Sequence, residues 1–478
     1  MTLPLTRPPR GGGRDTGARG TRWRYWLRRA ATLARRRAAA LCAAVEHEWP
    51  AAVLVACALF ACAVAVISAG APERLWGELA AASYGLAALV ALAGRRRGLP
   101  LAVAISVTGA ALIPLAWMAS TRMGQPEVSV VIRSAHLFLH QGTPYERASA
   151  LATAHGPYAY NPYLPALAFF GLPHAWFGGG LLTDPRVWFG AVFLAAFGTA
   201  LRLSGVRRPW LWAVVVTASP IIAYPLSTGG DDLPVLALIC LGLALLRPAA
   251  GLADTGPADA GPAHTVPAHT VPEDATPARA DGLTTQRIIL ASLALGLAAA
   301  MKATAWPALA VAVALVAVCA GRRAVAWLVL VTLCVPLAVD GPVLFAQPSS
   351  VVSNTILFPL GLTKIQSPAA TPLPGHLMAE AWSWGHYAAI GLLLLAGLAI
   401  AAWLIVSPPR DERAAGWRLV VGVTLMFAFA PASRFGYVVY PLGLAAWLLL
   451  SSLPSLASGD GRLLSVARAG AGSAPGRG

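Results

Sequence analysis

The chain has 478 residues, of which 57% are hydrophobic and only 12% charged, with a mean hydropathy of +0.65. Soluble domains carry about 25% charged residues, so the composition excludes a soluble globular protein and defines an integral membrane one. The formal net charge of +16 is not a sign of nucleic-acid binding. The arginines cluster beside apolar runs of roughly 17–20 residues, which is the pattern of the positive-inside rule.

Residues 1–48 are basic and low in complexity, and the first apolar run starts near Ala51. That is too far in for an ordinary signal peptide, so the segment reads as a disordered cytoplasmic tail. Residues 49–247 form a first membrane region, with spans expected at 51–70, 76–94, 99–118, 187–203, 209–226 and 233–246. The first three are long enough to cross roughly 30 Å of hydrocarbon. Between the third and fourth lies a polar loop, 119–186. Its stretch 161–177 is apolar, but counting it as a span would put Arg207 and Arg208 outside. It is read instead as a helix lying at the outer surface, interrupted by Pro165 and Pro173.

Residues 248–286 are a Pro/Ala/Asp/Thr linker with a tandem P-A-H-T-V-P-A-H-T. Such a segment cannot bury a core and is expected to be disordered and cytoplasmic, so His264 and His269 read as linker residues. Residues 287–455 form the second membrane region, with spans at 287–300, 305–320, 324–339, 386–405, 417–430 and 440–453 and an external loop at 340–384; 456–478 is a cytoplasmic tail. The expected fold class is an all-α polytopic membrane protein of about twelve transmembrane helices, both termini inside. Every arginine-rich turn is then cytoplasmic and every acidic or aromatic turn external. The six cysteines form no CxxC pair or metal-ligand spacing and read as small core residues.

This topology gathers the unusual polar groups on the outer face. They are Glu127, Arg133, His136, His140 and Tyr145; the box His155–Tyr163, H-G-P-Y-A-Y-N-P-Y; Asp231, Asp232 and Lys302; and Lys364, His376, Arg434 and Tyr437. Any one of them would serve as an interfacial anchor, but the whole set beside two polar inserts reads as a site. A carboxylate facing basic groups suits transfer of a group from a phosphate leaving group. The carboxylate takes a proton from an acceptor hydroxyl, while Arg or Lys stabilises the charge building on the phosphate. Tyrosines at the headgroup level stack on sugars and position a lipid chain. No P-loop, GxSxG or HExxH occurs in a usable context, which leaves nucleotide-driven chemistry unsupported.

The order of motifs resembles glycosyltransferase family 87, an actinobacterial group of membrane enzymes with the GT-C architecture. The resemblance rests on G-x-P-Y, the Y-x-Y-N-P-Y-L-P box, a G-x-D-like turn, K-x-T-x-x-P from Lys302 to Pro307, and S-R-F-G-Y-x-x-Y-P. It covers roughly residues 100–450. It implies an inverting transfer of a hexose, commonly mannose, from a polyprenyl-phosphate donor to a lipid-linked or glycan acceptor, on the extracytoplasmic side of the plasma membrane. It makes Glu127 the base, where the family usually has Asp, with Asp231 and Asp232 in reserve. Arg434 and Lys302 would contact phosphate. Arg133, His136, Tyr145, His155, Tyr158, Tyr160, Asn161, Tyr163, Lys364, His376 and Tyr437 would bind substrate. Membrane lipids and the donor and acceptor are the expected partners, without nucleic acid. No cofactor and no metal site is assigned, and metal help to the leaving phosphate is left open. The alternative is a transporter or lipid flippase, since about twelve spans with a linker after the sixth is also a two-half transporter layout. Against it, the halves share no motif and both large inserts are external.

Overall fold

The computed structural model describes residues 48–153, 156–247, 283–365 and 367–452. The expected N-terminal and C-terminal tails, nearly all of the linker and His155 lie outside the described residues. The helices, in order, are α1 Glu48–Ile67, α2 Ala71–Gly94 and α3 Arg97–Ser120, α4 Pro126–Gln141, α5 Ala148–Ala152, α6 Leu172–Phe177, α7 Pro185–Leu203, α8 Pro209–Thr217, α9 Pro220–Thr228 and α10 Leu233–Leu245. After the linker come α11 Thr285–Met301, α12 Trp306–Cys319, α13 Gly321–Val339, α14 Gly341–Ala346, α15 Pro348–Val352, α16 Pro374–Ala381, α17 Gly385–Val406, α18 Glu412–Phe429 and α19 Phe435–Ser452. Among the described residues the only extended pairing is one bridge, Ala370 to Ser433.

The twelve stretches expected to span are helical over most of their described residues, with 209–226 broken at Ala218–Ser219. Among the described residues, seven helices (α1, α2, α3, α7, α13, α17 and α19) are long and apolar enough to cross a bilayer, and α8 with α9, bent by 63°, pass the same test together as a broken span or a re-entrant loop. α10, α11 and the Ala303–Cys319 helix are apolar but shorter. The chain is a multi-pass, all-α membrane protein. The arginine turn after the second span is a genuine reversal. Trp76 Nε1 donates to Ala110 O at 2.8 Å, although 34 residues of straight helix would hold them roughly 50 Å apart.

α10 is apolar all round, and all but one of its thirteen residues are buried, the signature of a central helix. It packs chiefly on α7 and α11. α11 runs antiparallel to it, so the start of α10 and the end of α11 share one end of the bundle. Both deliver polar residues there: Asp231 and Asp232 just before α10, Lys302 just after α11.

Residues 161–177 do not form a span-length helix. A 3₁₀ helix, Pro165–Gly171, leads into α6, and each has a proline in its first turn, where the missing N–H costs nothing. The first half of the segment packs inward on the protein. Pro165, Ala166, Leu167, Ala168 and Gly171 are buried, packed mainly against α4. The reason is size. A Cβ at Gly171 would come within 2.5 Å of the Val131 carbonyl oxygen, so only glycine lets α4 settle onto it. The aromatic end, Trp176 and Phe177, is exposed.

Candidate active site

The turn between α9 and α10, T-G-G-D-D, presents two adjacent carboxylates to the lysine at the end of α11. Gly230 adopts φ 82°, a left-handed conformation that glycine takes at little cost. Lys302 Nζ lies 2.6 Å from Asp231 Oδ2 and 2.5 Å from Asp232 Oδ1. The Tyr440 hydroxyl donates to Asp232 Oδ1 at 2.9 Å and accepts from Thr304 Oγ1 at 2.9 Å. All three charged residues are buried. Burial pushes the Asp232 carboxyl up, Lys302 pulls it back, and the Asp231 charge adds to the rise. For Lys302, burial alone would draw the ammonium down, but the two carboxylates outweigh it and hold the proton above the usual lysine range. Helix ends help: an acid at a helix N-terminus and a base at a C-terminus both oppose the local dipole charge.

The aromatic box joins this triad through the backbone. Leu164 N donates to Met301 O at 3.0 Å, which sets the Tyr163 ring 4.7 Å from Lys302 Nζ, a cation–π geometry. Burial and the neighbouring carboxylates raise the Tyr163 phenol well above its ordinary range, so it acts as a neutral donor.

Glu127 comes from the first turn of α4 and Arg434 from the turn before α19; they form an ion pair. Arg434 is oriented by the second insert. Thr371 N donates to Ser433 O at 3.0 Å, Ser433 N to Ala369 O at 3.1 Å, and Phe435 N to Thr371 Oγ1 at 3.0 Å. Glu127 Oε2 is buried and finds no hydrogen-bond partner among the described residues. A cavity of about 210 Å³ connects pair and triad, lined by Gln125, Glu127, Tyr163, Asp231, Asp232, Lys302, Arg434 and Tyr437 among others. A smaller hollow of about 70 Å³ continues past Glu127 to Tyr158, Tyr160 and Phe358, where Tyr160 stacks on Phe358 at 4.5 Å with the rings 1° from parallel.

Of the sequence-derived site residues, Glu127, Asp231, Asp232, Lys302, Tyr163, Arg434 and Tyr437 line this cavity, with Tyr158 and Tyr160 in its extension. Tyr145 and Asn161 are buried in its frame instead. The Tyr145 hydroxyl donates to Tyr163 O at 2.8 Å. Asn161 Nδ2 donates to Ser134 Oγ at 2.9 Å, its Oδ1 accepts from Tyr163 N at 3.0 Å, and its backbone N donates to Asn354 Oδ1 at 2.7 Å. Arg133 and His136 face a separate hollow. His376 pairs with Pro431 O at 3.1 Å and Glu380 at 3.2 Å, away from the cavity. Lys364 is exposed and lines neither hollow beside Glu127.

Sequence reasoning passed over four contributors. Tyr440, within S-R-F-G-Y-x-x-Y-P, was in plain view. Gln125 binds Glu73 through its side chain at 2.9 Å and Thr228 O through its backbone at 2.7 Å. Asp184 and Arg186 form a buried bidentate pair, 2.9 and 2.8 Å, whose Arg186 Nη1 also donates to Met123 O at 3.0 Å and Ser227 O at 2.7 Å. Their signal was the D-P-R sequence, in which Asp184 caps α7.

No protein-family model matches the chain, and no curated protein matches it. Two solved structures do. ArnT from Cupriavidus metallidurans in the apo state has TM-score 0.40 and 16% identity, covering 73% of this chain and 59% of its own. The same protein bound to undecaprenyl phosphate has TM-score 0.44 and 15% identity, covering 74% and 60%. This chain therefore spans about three fifths of the length of the structures it matches.

Proposed function

We propose that the protein is a membrane glycosyltransferase of the GT-C type, moving a hexose from a polyprenyl-phosphate donor to a lipid-linked or glycan acceptor at the extracytoplasmic face. The observation that carries this reading is the Glu127 carboxylate: one oxygen bound to Arg434, the other free, at the edge of a cavity floored by Tyr163 and Lys302. The sequence motifs that resemble family 87 lie around that cavity and point to mannose as the hexose.

In this mechanism Glu127 takes the proton of an acceptor hydroxyl. The hydroxyl oxygen attacks the anomeric carbon from the face opposite the phosphate, the carbon–oxygen bond to phosphate breaks with its electron pair, and the configuration inverts. Polyprenyl phosphate leaves with one more negative charge than it had as a diester, and Arg434 answers that charge. Because Arg434 is Glu127's partner before donor binds, an arriving phosphate draws the guanidinium toward itself and uncovers the base. Lys302 contributes less to phosphate binding than its charge suggests, because two carboxylates already claim it. It fixes the floor on which Tyr163 lies.

The test is sugar transfer in membranes from radiolabelled polyprenyl-phosphate mannose, comparing wild type with Glu127→Gln. The expected loss is about 10²–10⁴-fold, the usual contribution of a positioned base. Full activity in the variant removes Glu127 from the role, and absence of transfer by wild type from any polyprenyl-phosphate sugar removes the reaction class.

A further inference from the structure

A hollow of about 730 Å³, larger than the one of about 210 Å³ beside Glu127, lies next to it. α4 separates the two. At 100° per residue, Glu127 and Val130 point one way, while Ser129, Ile132, Arg133 and His136 fall on the opposite face and line the larger hollow. The cavities meet around the N-terminus of α4, where Gln125 lines the large hollow and the reaction cavity, and Pro126 and Tyr158 line the large hollow and its extension.

The larger hollow is cationic. Arg122, Arg133, His136 and His174 line it, and its one lining carboxylate, Asp184, is consumed on both oxygens by Arg186. Glu146 is near enough to act on the Arg133 charge but is not part of the lining. Two nitrogens stand unpartnered. Arg133 Nε and His174 Nδ1 are buried without a hydrogen-bond partner among the described residues. The His136 and His174 rings meet edge to face at 6.1 Å. A guanidinium and an imidazole also converge on one point: a Cβ at Gly179 would lie 3.5 Å from His174 Nε2 and 3.7 Å from Arg122 Nε and Nη2. Burial with the nearby His136 and Arg122 lowers the His174 pKa, so its ring meets a ligand as a neutral hydrogen-bonding group. Arg122 itself sits at φ 56°, a left-handed conformation costing a non-glycine residue roughly 1–3 kcal/mol.

We infer that this hollow is a binding subsite for a phosphate ester, and that the ester belongs to the acceptor. The second half rests on the function proposed above. The donor phosphate has Arg434 in the reaction cavity. A second anion site, six to nine residues further along α4 and so roughly 9–14 Å along its axis, fits a molecule that offers its hydroxyl to Glu127 while its phosphate is held at a distance. Held at both ends, the acceptor loses its rotational freedom before the chemical step.

The experiment uses the purified full-length chain in a phosphate-free maltoside detergent at constant ionic strength. Thermal unfolding is followed as inorganic phosphate or sn-glycerol 3-phosphate is added. Wild type is expected to show a saturable rise in Tm, while Arg122→Gln and His174→Gln weaken the apparent affinity at least tenfold. Gly179→Glu, which inserts a carboxylate between Arg122 and His174, does the same from a position that removes no side chain, and so covers the case in which Arg122→Gln fails to fold. Equal saturation in wild type and Gly179→Glu overturns the site. If phosphatidylglycerol micelles abolish glycerol phosphate binding, the hollow belongs to bulk lipid and the acceptor assignment falls. Phosphate binding intact in a protein that transfers no sugar would sink the proposed function and leave the anion site standing.

Discussion

Two clusters of opposite charge face one cavity, and they differ in how firmly each is held. The triad of Asp231, Asp232 and Lys302 is buried, and each charge has a partner at 2.5–2.6 Å. The pair of Glu127 and Arg434 has side chains 13% and 31% exposed, with one carboxylate oxygen left over. A buried pair costs several kcal/mol per ion to desolvate, so neither partner can leave without the other. A part-exposed pair is worth at most about 1 kcal/mol, so it can be exchanged for a ligand's charge. The triad reads as a floor and the pair as a gate. A third carboxylate, Asp340 at the end of α13, sharpens the contrast. Half-buried, with no ion-pair partner among the described residues, it has burial as its dominant influence, and its pKa rises from 3.8 to about 7.

The largest expected effect on folding comes from taking the cation out of the floor. Lys302→Met leaves two buried carboxylates unpaired and should cost about 3–5 kcal/mol, read as a collapse in the yield of folded protein and in Tm after detergent extraction. Glu127→Gln, which inactivates in the proposed mechanism, should shift stability by about 1 kcal/mol or less. If the two variants proved equally stable, the distinction between floor and gate would be lost. Next comes Tyr440→Phe, which removes one hydrogen bond to the Asp232 carboxylate and should cost about 1.5–3 kcal/mol while leaving Lys302 paired.

The pH dependence of Tm gives the next test. The Asp340 carboxyl titrates near 3.8 when exposed and about 7 in the folded protein. Between those values the folded protein retains a proton that the unfolded chain has lost. Its stabilising contribution is complete below about pH 4 and is lost as pH rises through 7. Asp340→Asn should flatten that fall; an unchanged slope would mean that water solvates the carboxylate. The smallest effect is Arg434→Lys. It keeps the charge but not the forked geometry, so stability should stay within about 0.5 kcal/mol, while in the proposed mechanism kcat falls more than the KM for donor rises.

The helices and the gathering of Glu127, Asp231, Asp232, Lys302 and Arg434 were legible because both follow from local signals. Apolar run length gives helices, and their alternation with polar turns brings those turns together. What was not legible depends on side-chain direction. Tyr145 and Asn161 belong to the same polar stretch as Tyr158 and Tyr163, yet they turn inward to bind the Tyr163 backbone, and nothing in their spacing separates frame from lining. The inward packing of 165–171 was hidden for a related reason. Apolar content alone cannot tell a lipid-facing surface from one facing α4, and the deciding residue is one glycine, Gly171. Arg122 and His174 lie about fifty residues apart in chain and converge only because the segment after α6 returns to the end of α3.

The Asn161–Asn354 hydrogen bond joins the two polar inserts across 193 residues of chain, and it carries a consequence for the order of assembly. At a synthesis rate of about 5–20 residues per second, roughly 10–40 s separate the arrival of the two asparagines. Through that interval the Asn161 backbone amide lacks its partner, and the Tyr160 ring lacks Phe358 to stack upon. The first membrane region therefore has to enter the bilayer with its aromatic box unfinished, and the second region completes it on arrival. Expressed as two separate polypeptides, the halves should regain a formed cavity only by meeting again in the membrane.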